Sequence, residues 1–258
     1  MSFVISLEEY KKEPGITEAQ IPDCIAKISR NSIPKGITSV VIPKSVTEIE
    51  TDAFSNSEDL LSITVDPDNP AYCDIDGVLY SKDKTLLVHY PHGRNDTEFI
   101  IPNYVTKIGV NAFENCKNLS SIMLSDHLKT IGYGAFRACG LTAIDFPNSL
   151  KLISRLAFSL CTDLTSVVIP SGVTLIEPMA FKGCENLKFV SIPRSVSVIY
   201  QMSFSACYSL TSVVIPDSVT EIADNAFYDC DCLTIVTTKG SYADEYAQRK
   251  GFGVSYDL

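Results

Sequence analysis

The stretch Leu210 to Cys230, LTSVVIPDSVTEIADNAFYDC, returns almost unchanged at Ile37 as ITSVVIPKSVTEIETDAFSNS and at Leu164 as LTSVVIPSGVTLIEPMAFKGC. A period near 23 residues, seen this often, restricts the chain to a solenoid in which each repeat is one coil. A single coil cannot bury its apolar side alone, so the core has to run continuously through the stack. With no Trp in 258 residues, that core must be filled by Ile, Val, Leu and Phe.

From Ile37 onward each coil opens with an apolar triplet at offsets 0, +3 and +5. The clear cases are Ile37/Val40/Ile42, Leu60/Ile63/Val65, Leu119/Ile122/Leu124, Leu141/Ile144/Phe146 and Leu164/Val167/Ile169. Leu187/Val190/Ile192 and Leu210/Val213/Ile215 follow, and a fading copy stands at Leu233/Val236/Thr238. The last two members are two residues apart and share one side of a strand. Stacked coils then set these strands about 4.8 Å apart in a parallel sheet.

Proline closes the strand at Pro43, Pro102, Pro147, Pro170, Pro193 and Pro216, because it has no N–H to give the ladder. The pattern S-V-x-x-I comes next, as in Ser45, Val46 and Ile49. Its spacing fits either a 3₁₀ turn or a short bent extended segment.

Each coil ends in a phenylalanine, at Phe54, Phe113, Phe136, Phe158, Phe181, Phe204 and Phe227, spaced 59, 23, 22, 23, 23 and 23 residues. Stacked rings in that slot predict an aromatic spine. The 22 marks a residue missing between Cys139 and Leu141, a deletion expected to leave the core slots intact. The 59 is two periods plus 13 extra residues, placed between Val65 and Ile101. There Val78-Leu-Tyr and Leu86-Leu-Val-His-Tyr predict a β-hairpin insert at about 66–95.

Residues 1–36 do not fit the repeat and are expected to form an N-terminal cap, with Thr17-Glu-Ala-Gln20 as a helix start. Met1-Ser-Phe-Val-Ile-Ser and the following LEEYKK have neither the basic start nor the apolar run of a leader peptide. The protein is cytoplasmic on that basis, or secreted or surface-bound if a leader has been removed. Residues 241–258, with Ser241 before the alanines and Gly251 after them, predict a C-terminal capping helix. The solenoid proper covers 37–240, in about nine coils.

The coil LxxIxIPxSVxxIxxxAFxxC closely resembles the BspA-like leucine-rich repeat family of microbial surface antigens. NPAY followed by DGVLY and LLVHYP, and the ending GSYADEYAQRKG, also look like segments of that family. The resemblance implies a right-handed leucine-rich-repeat horseshoe with its parallel sheet on the concave face. It also implies an adhesin-like role in binding host proteins.

Cys116, Cys139, Cys161, Cys184, Cys207 and Cys230 each lie three residues after the repeat Phe, and Ser57 fills that slot in the first coil. Parallel Cβ vectors in such a column predict buried free thiols rather than disulfides or metal ligands. His89-Tyr-Pro-His92 has a Pro that excludes the regular helix of an HxxxH site, so no metal is expected. Asp66, Asp68, Asp74 and Asp76 lack the regular alternation and distal Glu of a calcium loop and read as turn formers. Asn95-Asp-Thr97 is a glycosylation sequon, whereas Asn118-Leu-Ser120 is expected to be inaccessible beside core Leu119.

A formal net charge of −10 repels phosphate backbones, so nucleic acid is not an expected partner. No run of about 18 apolar residues provides a membrane span. No GxSxG, Gly-rich phosphate loop or converging Cys/His pair points to catalysis or a cofactor. What remains is the concave face. One outward column runs from Ser39 to Ile235, and its neighbour runs through Val41, Ile100, Met123, Val168 and Val214 to Thr237. With Phe189 protruding from the first column, Val41, Ile100, Met123, Val168, Phe189 and Val214 are the candidate protein-binding residues. The favoured function is a non-enzymatic protein-binding module, an adhesin in the family's manner. The alternatives are an intracellular interaction scaffold and a glycan-acting enzyme, the latter opposed by the lack of a paired-carboxylate motif.

Overall fold

A computed structural model describes residues 3–4, as backbone, and 17–256. The leader reading at Met1–Ser6 and the LEEYKK segment fall almost wholly outside the described residues. The chain is a parallel-strand solenoid of about ten turns. Each turn contributes up to two strands, so two ladders run along the stack.

The first ladder holds the apolar triplets. Ser39–Ile42 pairs in parallel with Ser62–Val65, Val40 lying opposite Ile63. Ser166–Val168, Phe189–Ser191 and Ser212–Val214 continue the pattern, with Val167, Val190 and Val213 opposite one another and buried. After each proline the carbonyl closes a turn by accepting the N–H three residues on, as in Val105 to Pro102 at 2.9 Å and Val173 to Pro170 at 3.1 Å.

The S-V-x-x-I segment takes the extended alternative. Glu48–Ile49, Lys107–Ile108, Thr130–Ile131, Val198–Ile199 and their equivalents are two-residue strands forming the second ladder. Parallel pairing with the coil on either side selects the extended form. The Phe slot follows, flanked by left-handed residues. Leu156, Met179 and Met202 precede their Phe by two positions at φ 61°, 59° and 55°, and Ala138, Leu160 and Ala206 follow theirs by two at 54°, 63° and 57°. Each such residue costs roughly 1–2 kcal/mol, which the surrounding stack must offset.

The phenylalanines form the expected spine. From Phe113 to Phe227, neighbouring rings stack at 5.0–5.4 Å and within 16° of parallel. The spine is interrupted at the insert, where His89 stacks on Phe54 at 4.6 Å and Tyr90 stacks on Phe113 at 5.0 Å. The apolar core divides at the same place, with Phe54 in one cluster and Tyr90 in the other. The insert has three strands rather than two. Tyr72–Ile75 and Val78–Ser81 pair antiparallel, Val78–Ser81 pairs antiparallel with Leu86–His89, and Leu86–Leu87 joins the second ladder beside Lys107–Ile108.

Four sequence expectations are corrected. Thr17 does not start a helix: Glu18–Gln20 is a strand in register with Ser39–Val41, and Ile25–Ile28 pairs with Glu48–Ile49. The buried ladder position of Ala19 overrides the capping-box pattern. In the last coil the triplet is Leu233/Ile235/Thr237, because Thr234, Ile235 and Val236 lie opposite Ser212, Val213 and Val214. Ile235 and Thr237 are therefore fully buried and not outward, and Thr237 Oγ1 donates to the Ile215 carbonyl at 2.7 Å. The third concerns the coil with the deletion. Leu141 and Ile144 stay buried, but 141–147 forms no strand, which parts the first ladder between Ser121–Met123 and Ser166–Val168. Fourth, Asn118 is exposed beside buried Leu119, and its side-chain amide reaches the Arg94 carbonyl at 3.2 Å.

At the other end Tyr242–Lys250 is helical. Ser241 Oγ accepts from the Asp244 N–H at 3.3 Å, and Gly251 ends the helix at φ 77°. Tyr246 and Phe252 lie against Phe227 at 6.2 and 6.4 Å, and Gly253–Ser255 adds one more strand beside Thr234–Val236.

Candidate functional site

The first ladder faces outward with alternate residues. Ile100 lies opposite Met123 and Ser191 opposite Val214, so Ile100, Met123, Val168 and Val214 occupy equivalent positions. Ile100, Met123 and Val168 are 64%, 63% and 61% exposed, Phe189 is 37% exposed, and Val41 and Val214 are half-buried. These side chains do not form one unbroken row. The strandless coil at 141–147 separates Met123 from Val168 and leaves a recess there, lined by Ser121, Met123, Asp126, Asp145 and Phe146. Asp145, exposed on that coil, is the one acidic residue in this column between Ile100 and Val214.

The cysteines lie in a column that binds carbonyls. The thiols of Cys161, Cys184, Cys207 and Cys230 each point to the carbonyl of the Phe in the preceding coil, at 3.0, 3.2, 3.2 and 3.1 Å. Cys139 donates instead to the Cys116 carbonyl at 3.3 Å, and Ser57 Oγ to that of Ile33 at 3.0 Å. A small side chain with one donor satisfies a carbonyl that the turn leaves free. Burial pushes the Cys139 thiol up to about 12 and that of Cys230 to about 11, so neither carries thiolate near neutrality.

The insert aspartates act locally. Asp66 Oδ1 accepts from the Asp68 N–H at 2.8 Å, Asp74 Oδ1 from the Val65 N–H at 2.7 Å, and the Asp76 carbonyl from Arg94 at 2.6 Å. Arg94 also meets Asp96 at 2.6 Å, and the Tyr90 hydroxyl donates to the same carboxylate at 2.6 Å. Those two partners hold Asp96 below the usual carboxylate range. Among the described residues no group of three His, Cys, Asp or Glu side chains is arranged to hold a metal. No helix among them is long and apolar enough to cross a membrane.

The proline and the spacing argue against a helical metal pair at His89 and His92; both are buried, with their ring centroids 4.8 Å apart. The available signal was the gap of 59, which leaves Phe54 without a repeat Phe one coil on and puts His89 against it.

The BspA type leucine rich repeat region is matched in six copies over residues 4–73, 92–209 and 152–247. The chain belongs to that family. Among solved structures, a leucine-rich repeat protein from Eubacterium ventriosum is 29% identical with a TM-score of 0.70, over 82% of this chain and 64% of that one. A leucine rich cell surface protein from Faecalibacterium prausnitzii is 28% identical with a TM-score of 0.61, over 94% of this chain and 64% of that one. The pneumococcal vaccine antigen PcpA, at 20% identity and a TM-score of 0.79, shares the fold over 94% of this chain and 68% of its own. This BspA-type chain therefore spans about two thirds of the length of those proteins. No curated protein sequence matches it.

Proposed function

We propose that this BspA-type chain is a non-enzymatic protein-binding module that docks its partner on the outward face of the first ladder. The observation supporting the reading is the set of exposed apolar side chains Ile100, Met123, Val168 and Phe189, two coils on either side of the 141–147 recess. Exposed apolar groups with few charges between them mark interfaces, and Met and aromatic residues are enriched in their centres. At about 4.8 Å per coil, Met123 and Phe189 stand roughly 15 Å apart, within one standard contact of about 800 Å² per partner. Val41 and Val214 belong to the rim of the same surface. In this organisation the array covers 37–240, the insert 66–95, and the described parts of 1–36 and 241–258 close its ends.

An adhesin role accords with the cell surface protein from Faecalibacterium prausnitzii, and a scaffold inside the cell would use the same face. Capture of partners from host extracellular proteins and from source-cell lysate distinguishes the two. Replacing Met123 and Phe189 together by Asp is expected to abolish capture in whichever pool contains the partner. Undiminished capture by the folded double variant overturns this docking face.

A further inference from the structure

Charge is distributed unevenly along the outward face of the first ladder. In the segments 97–103, 119–126 and 141–148 the charged residues are Glu98, Asp126 and Asp145, all acidic and all exposed. The segment 164–171 has none, and 187–194 has Lys188 and Arg194, both basic and exposed. In 210–217 the last residue is exposed Asp217. None of these six forms an ion pair among the described residues. A face with unpaired charges of opposite sign at two places along one stack is complementary to itself turned end for end.

One register satisfies them. A two-fold axis parallel to the strands, between the coils at 141–147 and 164–171, sets 119–126 against 187–194 of a second copy. It sets 97–103 against 210–217 in the same way. Asp126 and Arg194 each lie three residues beyond the end of a strand, Ser121–Met123 or Phe189–Ser191, so the axis brings them together. Lys188 falls opposite Ser120 and beside Glu98, which is in register with Ser121. Asp217 falls opposite Asn103, whose Oδ1 is taken by the Asp126 N–H at 3.4 Å and whose amide N–H groups remain to donate. Other registers fail. An axis on the Val168 coil sets Asp126 against Asp217, and one along the stack sets Lys188 against Arg194.

The apolar groups agree with the charges. The same axis places Ile100 against Val214 and lays Phe189 over Ser121 and Met123, at the mouth of the 141–147 recess. Arg194 of the second copy then enters that recess, where Asp126 and Asp145 flank the Phe146 ring. A guanidinium suits such a place, because its planar fork meets carboxylates while its face stacks on an aromatic ring. We propose that the partner on this face is a second copy of the chain, docked with its coils in reverse order and anchored by Arg194 between Asp126 and Asp145. This rests on the docking-face reading above and names the occupant of that face. Six coils at about 4.8 Å and about 20 Å of strand and turn cover roughly 600 Å² per copy, below the standard 800 Å². That area suits a reversible dimer with a Kd on the order of 10 µM.

Sedimentation equilibrium of the full chain up to about 200 µM, well above that Kd, tests the proposal. The wild type is expected to pass from monomer to dimer over this range. Asp126→Arg and Arg194→Asp should each weaken the dimer about tenfold or more, because like charges then meet at both ends of the two-fold contact. Mixing the two variants should restore association, and so should both substitutions in one chain. Both side chains are exposed, so neither change should disturb folding, which thermal melting checks. A wild type that stays monomeric throughout overturns the proposal, as does a dimer that survives either reversal, or a mixture of the variants that fails to associate. In those cases capture of a foreign protein, lost when Met123 and Phe189 are replaced, would still uphold the docking face.

Discussion

The thiol of Cys184 donates to the carbonyl of Phe158, 26 residues earlier and one coil below, at 3.2 Å. The contact ties the thiol column to the aromatic spine, because it recurs at Cys161, Cys207 and Cys230, each three positions after a repeat Phe. It makes the cysteine a structural donor and not a nucleophile.

Thiol labelling of the native protein should therefore divide the nine cysteines. Cys24 and Cys232 are exposed and should react fast. Half-buried Cys73, with its thiol pushed up by burial and donating to the Ser81 carbonyl at 3.4 Å, should lag behind them. Cys116, Cys139, Cys161, Cys184, Cys207 and Cys230 should react only after denaturation. Mass spectrometry that finds any of these six labelled early, or disulfide-linked, contradicts the column.

Phe181 sits mid-spine with rings on both sides at 5.3 and 5.4 Å and no exposure. Phe181→Ala is expected to cost about 3–5 kcal/mol in a denaturant titration, as large-to-small core changes do. A loss below about 1 kcal/mol would mean that the spine carries little of the stability.

The histidine pair predicts a pH dependence above the carboxylate range. Burial, opposed for His92 by nearby Glu58, holds the native pKa values down, to about 4 for His92 and well below 6.5 for His89. The unfolded chain binds these protons from pH 6.5 downward and the native state does not. Stability is therefore full above pH 6.5 and declines as pH falls toward 4. His92 alone should remove roughly 2 kcal/mol between pH 7 and pH 5. Urea titrations at those two values measure it, and His92→Phe should lessen the difference, leaving the share that His89 contributes. A wild-type protein equally stable at both would show that these imidazoles are solvated.

Met123 and Phe189 point away from the core, so replacing both with Asp should shift the melting temperature by no more than a few degrees. Surface changes usually stay within about 0.5 kcal/mol each. Thermal melting checks this independently of any partner. A collapse of the transition would show that Phe189, the less exposed of the two, packs against its neighbours.

What this sequence determined by itself is whatever is repeated. The Val and Ile of the ladder, the closing prolines, the Phe slot and the Cys slot each stack on their own copies. A position's neighbour is then the same position one period away, and spacing alone reveals the contact. The tertiary structure decided whatever has no copy to stack on. Glu18–Gln20 became a strand because Ser39–Val41 offered it a ladder edge, although its local pattern favours a helix start. Thr237 turned inward because pairing with the coil before it overrode the faded triplet. The coil at 141–147 carries no strand although Leu141 and Ile144 keep their burial. His89 stacks on Phe54 where the insert breaks the second ladder. Residues in such a seam contact unlike neighbours from distant coils, and periodicity carries no information about contacts between unlike residues.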